Sequence, residues 1–248
     1  MQIKLIKIGK AAELLGVSID TLRRWDKSGK LLSVRIGSKG HRLYRFSDIE
    51  SKLNSTSNQR NLAKEWAQSS RGFLLDSQSH CETRDVFQAR LETMQSFLGK
   101  TMSLEKVVSL VIAVAGEIGS NSFDHNLGSW SDMMGVFFYY DEKNKSIILA
   151  DRGQGILSTL KRVKPELNTA KEALEVAFTE TISGRYPEAR GNGLKFVRSV
   201  ITNNPFSLEF QTGNAFLHLK QNDRGLSIQE VGTTIKGCFA TIRIEKEI

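Results

Sequence analysis

From Leu104 to Asn121 the chain reads as an apolar helix that turns polar only in its last turns, where Glu117 and Asn121 fall. Residues four apart share one face of a helix, one turn from each other. A carboxylate beside a neutral amide makes a poor surface pair. It is a good arrangement for holding a metal-bound triphosphate with a water beside it. Two glycine-bearing segments follow, Asp151-Arg-Gly153-Gln-Gly155 and Arg190-Gly191-Asn192-Gly193-Leu194. Glycines let backbone come close to a ligand. The three segments in this order predict a nucleotide site.

The elements between them set the fold class. Met134 to Tyr140 and Ser146 to Ala150 are apolar runs joined by Asp141-Glu-Lys-Asn-Lys145, a hairpin whose second strand delivers Asp151 at its tip. Asn168 or Thr169 caps a helix through Ala173, Val176 and Ala177, and Gly191 to Gly193 opens another that runs to Ile201. Later strand-like runs are Phe206 to Gln211, Ala215 to Lys220 and Cys238 to Ile244. Together they predict an α+β arrangement, one sheet covered on one face by helices.

Charge divides the chain. Residues 1–54 hold 12 Lys and Arg against 5 Asp and Glu, while the remainder holds 23 against 22. Nearly all of the net +8 therefore sits on the first fifth of the chain, and that module alone is expected to meet a polyanion. The apolar run from Val107 to Ala115 is too short to cross a bilayer and is broken by Ser109, so no membrane partner is expected. Lys4 and Lys7 interrupt the first apolar run, against a signal-peptide pattern. Cys81 and Cys238 suggest neither a cysteine-rich metal site nor a disulfide framework, and a reducing cytoplasm is expected.

In the basic module, Gln2 to Ile8 alternates like a short strand, and Lys10 to Leu15 has helical apolar spacing ended by Gly16. Ser18 is an N-cap for a second helix, Ile19 to about Ser28. Helix, tight Gly16-Val17-Ser18 turn, helix is the helix-turn-helix pattern, with Leu22 and Trp25 inward and Thr21, Arg23 and Arg24 outward. Ser33 to Ile36 and His41 to Phe46 flank Gly37-Ser-Lys39-Gly40 as a basic hairpin, and Ser47-Asp-Ile-Glu50 is a capping box. Residues 6–53 resemble the winged helix-turn-helix of MerR-type regulators and excisionases, with turn, recognition helix and wing in register. The resemblance implies double-stranded DNA as partner. Thr21, Arg23 and Arg24 would enter the major groove and Arg42 and Tyr44 of the wing would touch the flanking backbone, with Ser18 and Lys39 completing the DNA-binding set. MerR-like modules act as pairs, so a homodimer is also expected.

Asn54-Ser-Thr-Ser-Asn-Gln59 is polar and small. The expected division is therefore a DNA-binding domain over 1–54, a connecting segment over 55–84 and a second domain over 85–248. Asp85 to Leu98 reads as a helix with Val86, Phe87, Leu91, Met94 and Leu98 near one face, a core stripe or alternatively a dimer seam.

Over roughly residues 100–248 the chain resembles the GHKL superfamily, the Bergerat-fold ATPases that include DNA gyrase, histidine kinases and anti-sigma kinases. Glu117 through Asp124 matches the first box, Asp151-x-Gly153-x-Gly155 the second and Gly191-x-Gly193-Leu194 the third. The resemblance implies an α/β sandwich of the Bergerat type, with ATP and Mg²⁺ as cofactors. Asn121 would serve the metal, Asp151 the adenine amine, and Gly153 and Gly155 the base and ribose. Gly191, Asn192, Gly193 and Leu194 would lead into a helix N-terminus suited to phosphate. Asp124 belongs to the same ATP-binding set. Glu117 would be the catalytic base that activates water. Residues from about Ile156 to Arg190 would form a lid, with Gly184 and Gly191 as hinges and Arg185, Arg190 and Lys195 as phosphate candidates. Cys238 stands where many members place a threonine, which predicts a looser adenine subsite.

The combination is read as a DNA-binding regulator whose ATP-binding, ATP-hydrolysing domain switches assembly or contacts with a protein partner. The alternatives are a protein serine/threonine kinase of the anti-sigma type tethered to DNA, and an inactive nucleotide-binding interaction module.

Overall fold

The computed structural model describes residues 4–15, 17–35, 40–53, 56–101, 105–142, 144–181 and 192–245. They form two compact units, Met1–Gln59 and Arg60–Ile248.

The first unit opens with β1 (Leu5–Lys7) and α1 (Ile8–Leu14), then α2 (Ile19–Lys27), β2 (Val34–Arg35), β3 (Arg42–Arg45) and α3 (Phe46–Leu53). The strands form a three-stranded antiparallel sheet in the order β1-β3-β2. Its core joins Ala11, Ala12, Leu22, Leu31, Tyr44 and Ile49, so helices, sheet and α3 share one apolar centre. The helix pair and small sheet match the expected arrangement. Gly16 and the tip at 36–39, Lys39 included, lie outside the described residues.

The division falls within α4 (Thr56–Gln68), which is followed by β4 (His80–Cys81) and α5 (Arg84–Thr101). After these come α6 (Glu105–Asn126), β5 (Val136–Asp141), β6 (Ser146–Asp151), α7 (Gly155–Leu160), α8 (Ala170–Thr179), α9 (Gly193–Asn203), β7 (Phe206–Lys220) and β8 (Ser227–Ile244). The sheet is antiparallel throughout, in the order β4-β5-β6-β8-β7. Two of the expected strand runs, Phe206 to Gln211 and Ala215 to Lys220, are one strand interrupted by a bulge at Thr212–Ala215. Gly213 lies within that bulge at φ 53°. The hairpin's far turn reaches the end of α9, where Asn222 N–H donates to Thr202 O at 2.9 Å.

One sheet face carries α5, α6, α8 and α9 over the main core, which includes Phe87, Leu91, Val111, Ala115, Phe138, Leu149, Phe178 and Ala240. The α5 stripe is therefore core: Phe87, Leu91, Met94 and Leu98 are buried and only Val86 is exposed. α6 is long and apolar enough to cross a membrane by length and composition, but half of its apolar window is buried inside the protein.

The other sheet face is covered as well, which differs from the expected single helical layer. Ala63, Trp66 and Ala67 of α4 pack on Phe137, Ile148, Ala150, Ile235 and Phe239. The segment 55–84, expected to connect, thus supplies a helix and a strand to the second unit from Arg60 onward. Polar composition hid the helix, but Ala63, Trp66 and Ala67 fall at i, i+3 and i+4, one narrow apolar stripe. β6 is consequently buried at all six positions, as a strand covered on both faces must be.

Part of the expected lid is also built structure. α7 and α8 enclose a small core of Leu160, Leu167, Ala173 and Val176. Thr169 caps α8 with a full capping box to Glu172, since it must satisfy amides that the helix cannot. Residues 182–191, with Gly184, Arg185, Arg190 and Gly191, lie outside the described residues.

Candidate functional site

In the first unit, α2 presents two chemically different faces. Ser18 Oγ accepts from Thr21 N–H at 3.1 Å and caps the helix, while Leu22 is fully buried and Trp25 packs on the same core. Opposite them Arg23 and Arg24 are exposed, steadied by Asp20 (2.8 Å) and by Thr21 Oγ1 (3.3 Å). These one-turn contacts leave both guanidiniums in solvent, free to exchange a weak partner for phosphate or a base edge.

The wing residues divide. Tyr44 is fully buried and its hydroxyl donates to Leu22 O at 3.3 Å, so it is a core residue and not the backbone contact expected. Arg42 Nε donates to Asp26 Oδ2 at 2.7 Å and its side chain is 28% exposed. Asp26 also accepts from Ser33 N–H and Ser33 Oγ at 2.8 and 2.9 Å, so the end of the recognition helix is tied to both wing strands. Burial pushes the Asp26 carboxyl up, but Arg42 and Ser33 outweigh it and hold the group below its ordinary value of 3.8. A depressed carboxylate stabilises the fold above its unfolded pKa, and that contribution is lost as pH falls through the folded value. Asp26→Asn should therefore cost the first unit about 2 kcal/mol at neutral pH and flatten its stability below pH 4. Chemical unfolding followed by Trp25 fluorescence across pH 2–7 checks both.

A helix-turn-helix with a basic, exposed second helix and a braced wing defines the class: a DNA-reading domain. Residues 7–44 match the family model described as MerR family regulatory protein. This match supports a MerR-type helix-turn-helix over those residues and a DNA-binding regulator as the function of the chain. The chain has no match among the curated proteins.

In the second unit α6 meets the described parts of both glycine segments, at Gly153 through Asn126 and at Gly193 through Glu117. Asn121 Nδ2 donates to Glu117 Oε1 at 3.1 Å, a bond that does not use the amide oxygen of Asn121. Glu117 lies directly against the start of α9: a Cβ on Gly193 would come within 1.8 Å of its Oε1. Asn192 forms no side-chain cap on α9, and instead accepts from Thr181 Oγ1 at 2.9 Å while Lys195 Nζ donates to the same hydroxyl at 2.7 Å.

Asp151, at the end of β6, is fully enclosed. It accepts from Ser122 Oγ (2.8 Å), Gly153 N–H (2.8 Å), Asn126 Nδ2 (3.5 Å) and Cys238 N–H. Burial nevertheless raises its pKa above the usual carboxylate range, against the pull of those donors. Gly153 sits where any side chain would strike Asn126, its would-be Cβ being 1.9 Å from Nδ2. Gly155 has φ 74°, a conformation that excludes most side chains, and its neighbour Ile156 donates N–H to Thr212 Oγ1 at 3.1 Å.

Ser122, Asn126 and Thr212 were not singled out in the sequence. The signal for the first two was present: they are polar residues on the buried side of an apolar helix, where a polar group needs a partner. Thr212 bears on the cysteine at 238, because the two residues are partners across β7 and β8. Its hydroxyl donates to Gly237 O at 3.1 Å, so a threonine braces this loop from the neighbouring strand.

Two expected nucleotide residues are engaged elsewhere. Asp124 pairs with Arg84 at the start of α5, and Leu194 packs against the main core. Among the described residues no three His, Cys, Asp or Glu side chains cluster as a metal site. A cation here would depend on Asn121 and on oxygens brought by its own ligand. That donor set suits magnesium, a hard ion that shares its shell with phosphates.

Proposed function

We propose that the second unit is a GHKL-type ATP-binding domain of the Bergerat class, and that the chain is a DNA-binding regulator switched by Mg-ATP. The observation that carries this reading is the meeting of Glu117 with Gly193. It joins a carboxylate–amide pair to a helix N-terminus across a contact that admits no side chain. A helix start of this kind offers free amides and a positive dipole end to phosphate oxygens.

On this reading Asn121 would hold Mg²⁺ through its amide oxygen, and Lys195 and the first turn of α9 would meet the phosphates. Asp151 would receive the adenine amine, and Glu117 would accept the proton of an attacking water. Mg-ATP would supply the phosphoanhydride bond and the neutralised phosphate charge. The fit rests on oxygen donors, on the glycine at each close approach and on the uncapped start of α9.

Glu117→Ala, compared with wild type, tests the chemistry. Turnover should fall about 100-fold or more while calorimetric ATP binding persists. Unchanged turnover would remove Glu117 from the mechanism. Equal DNA affinity and equal sedimentation with and without Mg-ATP would sink the switch, including the paired state and partner exchange expected of it. A second reading, a closed interaction module, draws on the four protein donors already filling Asp151. Absence of ATP binding in calorimetry would favour it.

A further inference from the structure

Asp151 and Arg152 are consecutive, and neighbouring residues of a strand point to opposite faces of its sheet. Asp151 turns toward Ser122 of α6. Arg152 turns the other way, is fully buried, and spreads its guanidinium over the end of α4. Its Nη1 donates to Trp66 O, its Nη2 to Ser69 O at 3.0 Å, and the guanidinium carbon stands 5.8 Å from the centre of the Trp66 ring. Asp132 holds it from the far side through Nε at 2.9 Å and through Nη2.

A second link runs in parallel. Lys236 Nζ donates to Ser70 O at 2.7 Å and lies 3.5 Å from Asp132. The next residue, Gly237, presses on Asp151 so closely that a Cβ there would lie 2.0 Å from Oδ1. Asp132 also accepts from Gly72 N–H at 2.8 Å. Its carboxyl is held far below the usual range, first by Arg152 and then, against burial, by Gly72 and Lys236. The last carbonyls of a helix have no partner within it, and α4 carries no basic residue in its own last turn. Arg152 therefore caps it through Trp66 O, while Lys236 holds Ser70 O in the segment just beyond the helix, and each cation is the chain neighbour of a glycine that touches Asp151.

We infer that Arg152 and Lys236 are positioning residues that couple occupancy of the Asp151 site to the seating of α4, the helix at which the two units divide. This rests on the nucleotide reading of that site. A ligand that redraws the hydrogen bonds of Asp151 shifts the Asp151–Gly153 turn and the Lys236–Gly237 strand. The first movement reaches the Trp66 carbonyl in the last turn of α4, and the second reaches Ser70 O in the segment that leaves it. Coupling of this kind is reciprocal, so loosening α4 weakens the ligand by the factor that the ligand tightens α4.

Trp66 is the natural reporter, because the chain has only three tryptophans and Trp25 and Trp130 can be replaced by phenylalanine. The full chain bearing W25F and W130F is titrated with Mg-ATP, reading Trp66 emission, hydrogen exchange over residues 60–72 and heat of binding. A saturable emission change and about 5-fold slower exchange at 66–72 are expected. In Arg152→Lys, which keeps the charge and loses the planar fork, binding should weaken about 5-fold and the Trp66 response should vanish. Lys236→Met, at a side chain 32% exposed, gives the same test where Arg152→Lys fails to fold. ATP binding by heat with unchanged emission and exchange overturns the coupling and leaves the nucleotide reading standing. No heat of binding in wild type overturns that reading and the coupling with it.

Discussion

Asp151→Ala should lower the unfolding free energy of the second unit by about 3–5 kcal/mol. The substitution strands the N–H groups of Gly153 and Cys238 in a buried site and takes from the Ser122 hydroxyl the nearer of its two acceptors. Each stranded donor costs about 1–3 kcal/mol, and relief of the buried carboxylate offsets part of the sum. Asp151→Asn separates architecture from recognition. One oxygen remains for the N–H groups, and Ser122 can turn its hydroxyl to accept from the new amide. That variant should stay within about 1 kcal/mol of wild type yet lose the acceptor needed by an adenine amine. Its pH profile should differ too. A carboxyl raised above its ordinary 3.8 favours the fold below that value, and the contribution is lost as pH rises through the folded pKa. Asp151→Asn removes this slope. Urea unfolding across pH with parallel calorimetry reads all three effects, and an alanine variant as stable as wild type would refute the assigned role.

Replacing Arg23 and Arg24 together by alanine should weaken DNA binding about 100-fold and lower the slope of log affinity against log salt by up to about 2. Both side chains are exposed and outside the core, so far-UV circular dichroism should not change. The single variants distinguish their roles. Loss of a phosphate contact weakens all sequences alike, whereas loss of a base contact relaxes preference at one position. An unchanged affinity and salt slope would show that α2 is not the reading element. Tyr44→Phe provides the contrast, since removing its bond to Leu22 O acts on stability and not on charge.

What was legible in the sequence was local or strongly periodic. Ser18, Leu22 and Trp25 set the phase of α2, so the outward arginines followed. The polar end of α6 and the two glycine segments announced their meeting because each carries a residue type with few other uses. Tyr44 was not legible: in a strand of four residues either face can be the inner one, and the partner of its hydroxyl lies 22 residues away in α2. Arg152 looked like the variable place in a glycine motif, whereas its partners at Trp66, Ser69 and Asp132 exist only once the sheet is formed. Ser122 and Asn126 show the intermediate case, in which the pattern exposed the anomaly but not the carboxylate that resolves it.

The helix that follows the DNA-reading head in the chain bears on how such a chain can exchange parts. A crossover near residue 84 would carry away the layer that shields Phe137, Ile148 and Phe239, and the recipient body would present a bare sheet. A crossover near residue 59 would leave each module with its own apolar centre. An exchange of heads should therefore be tolerated at that seam, five residues beyond the polar junction's first asparagine, and not at the later one.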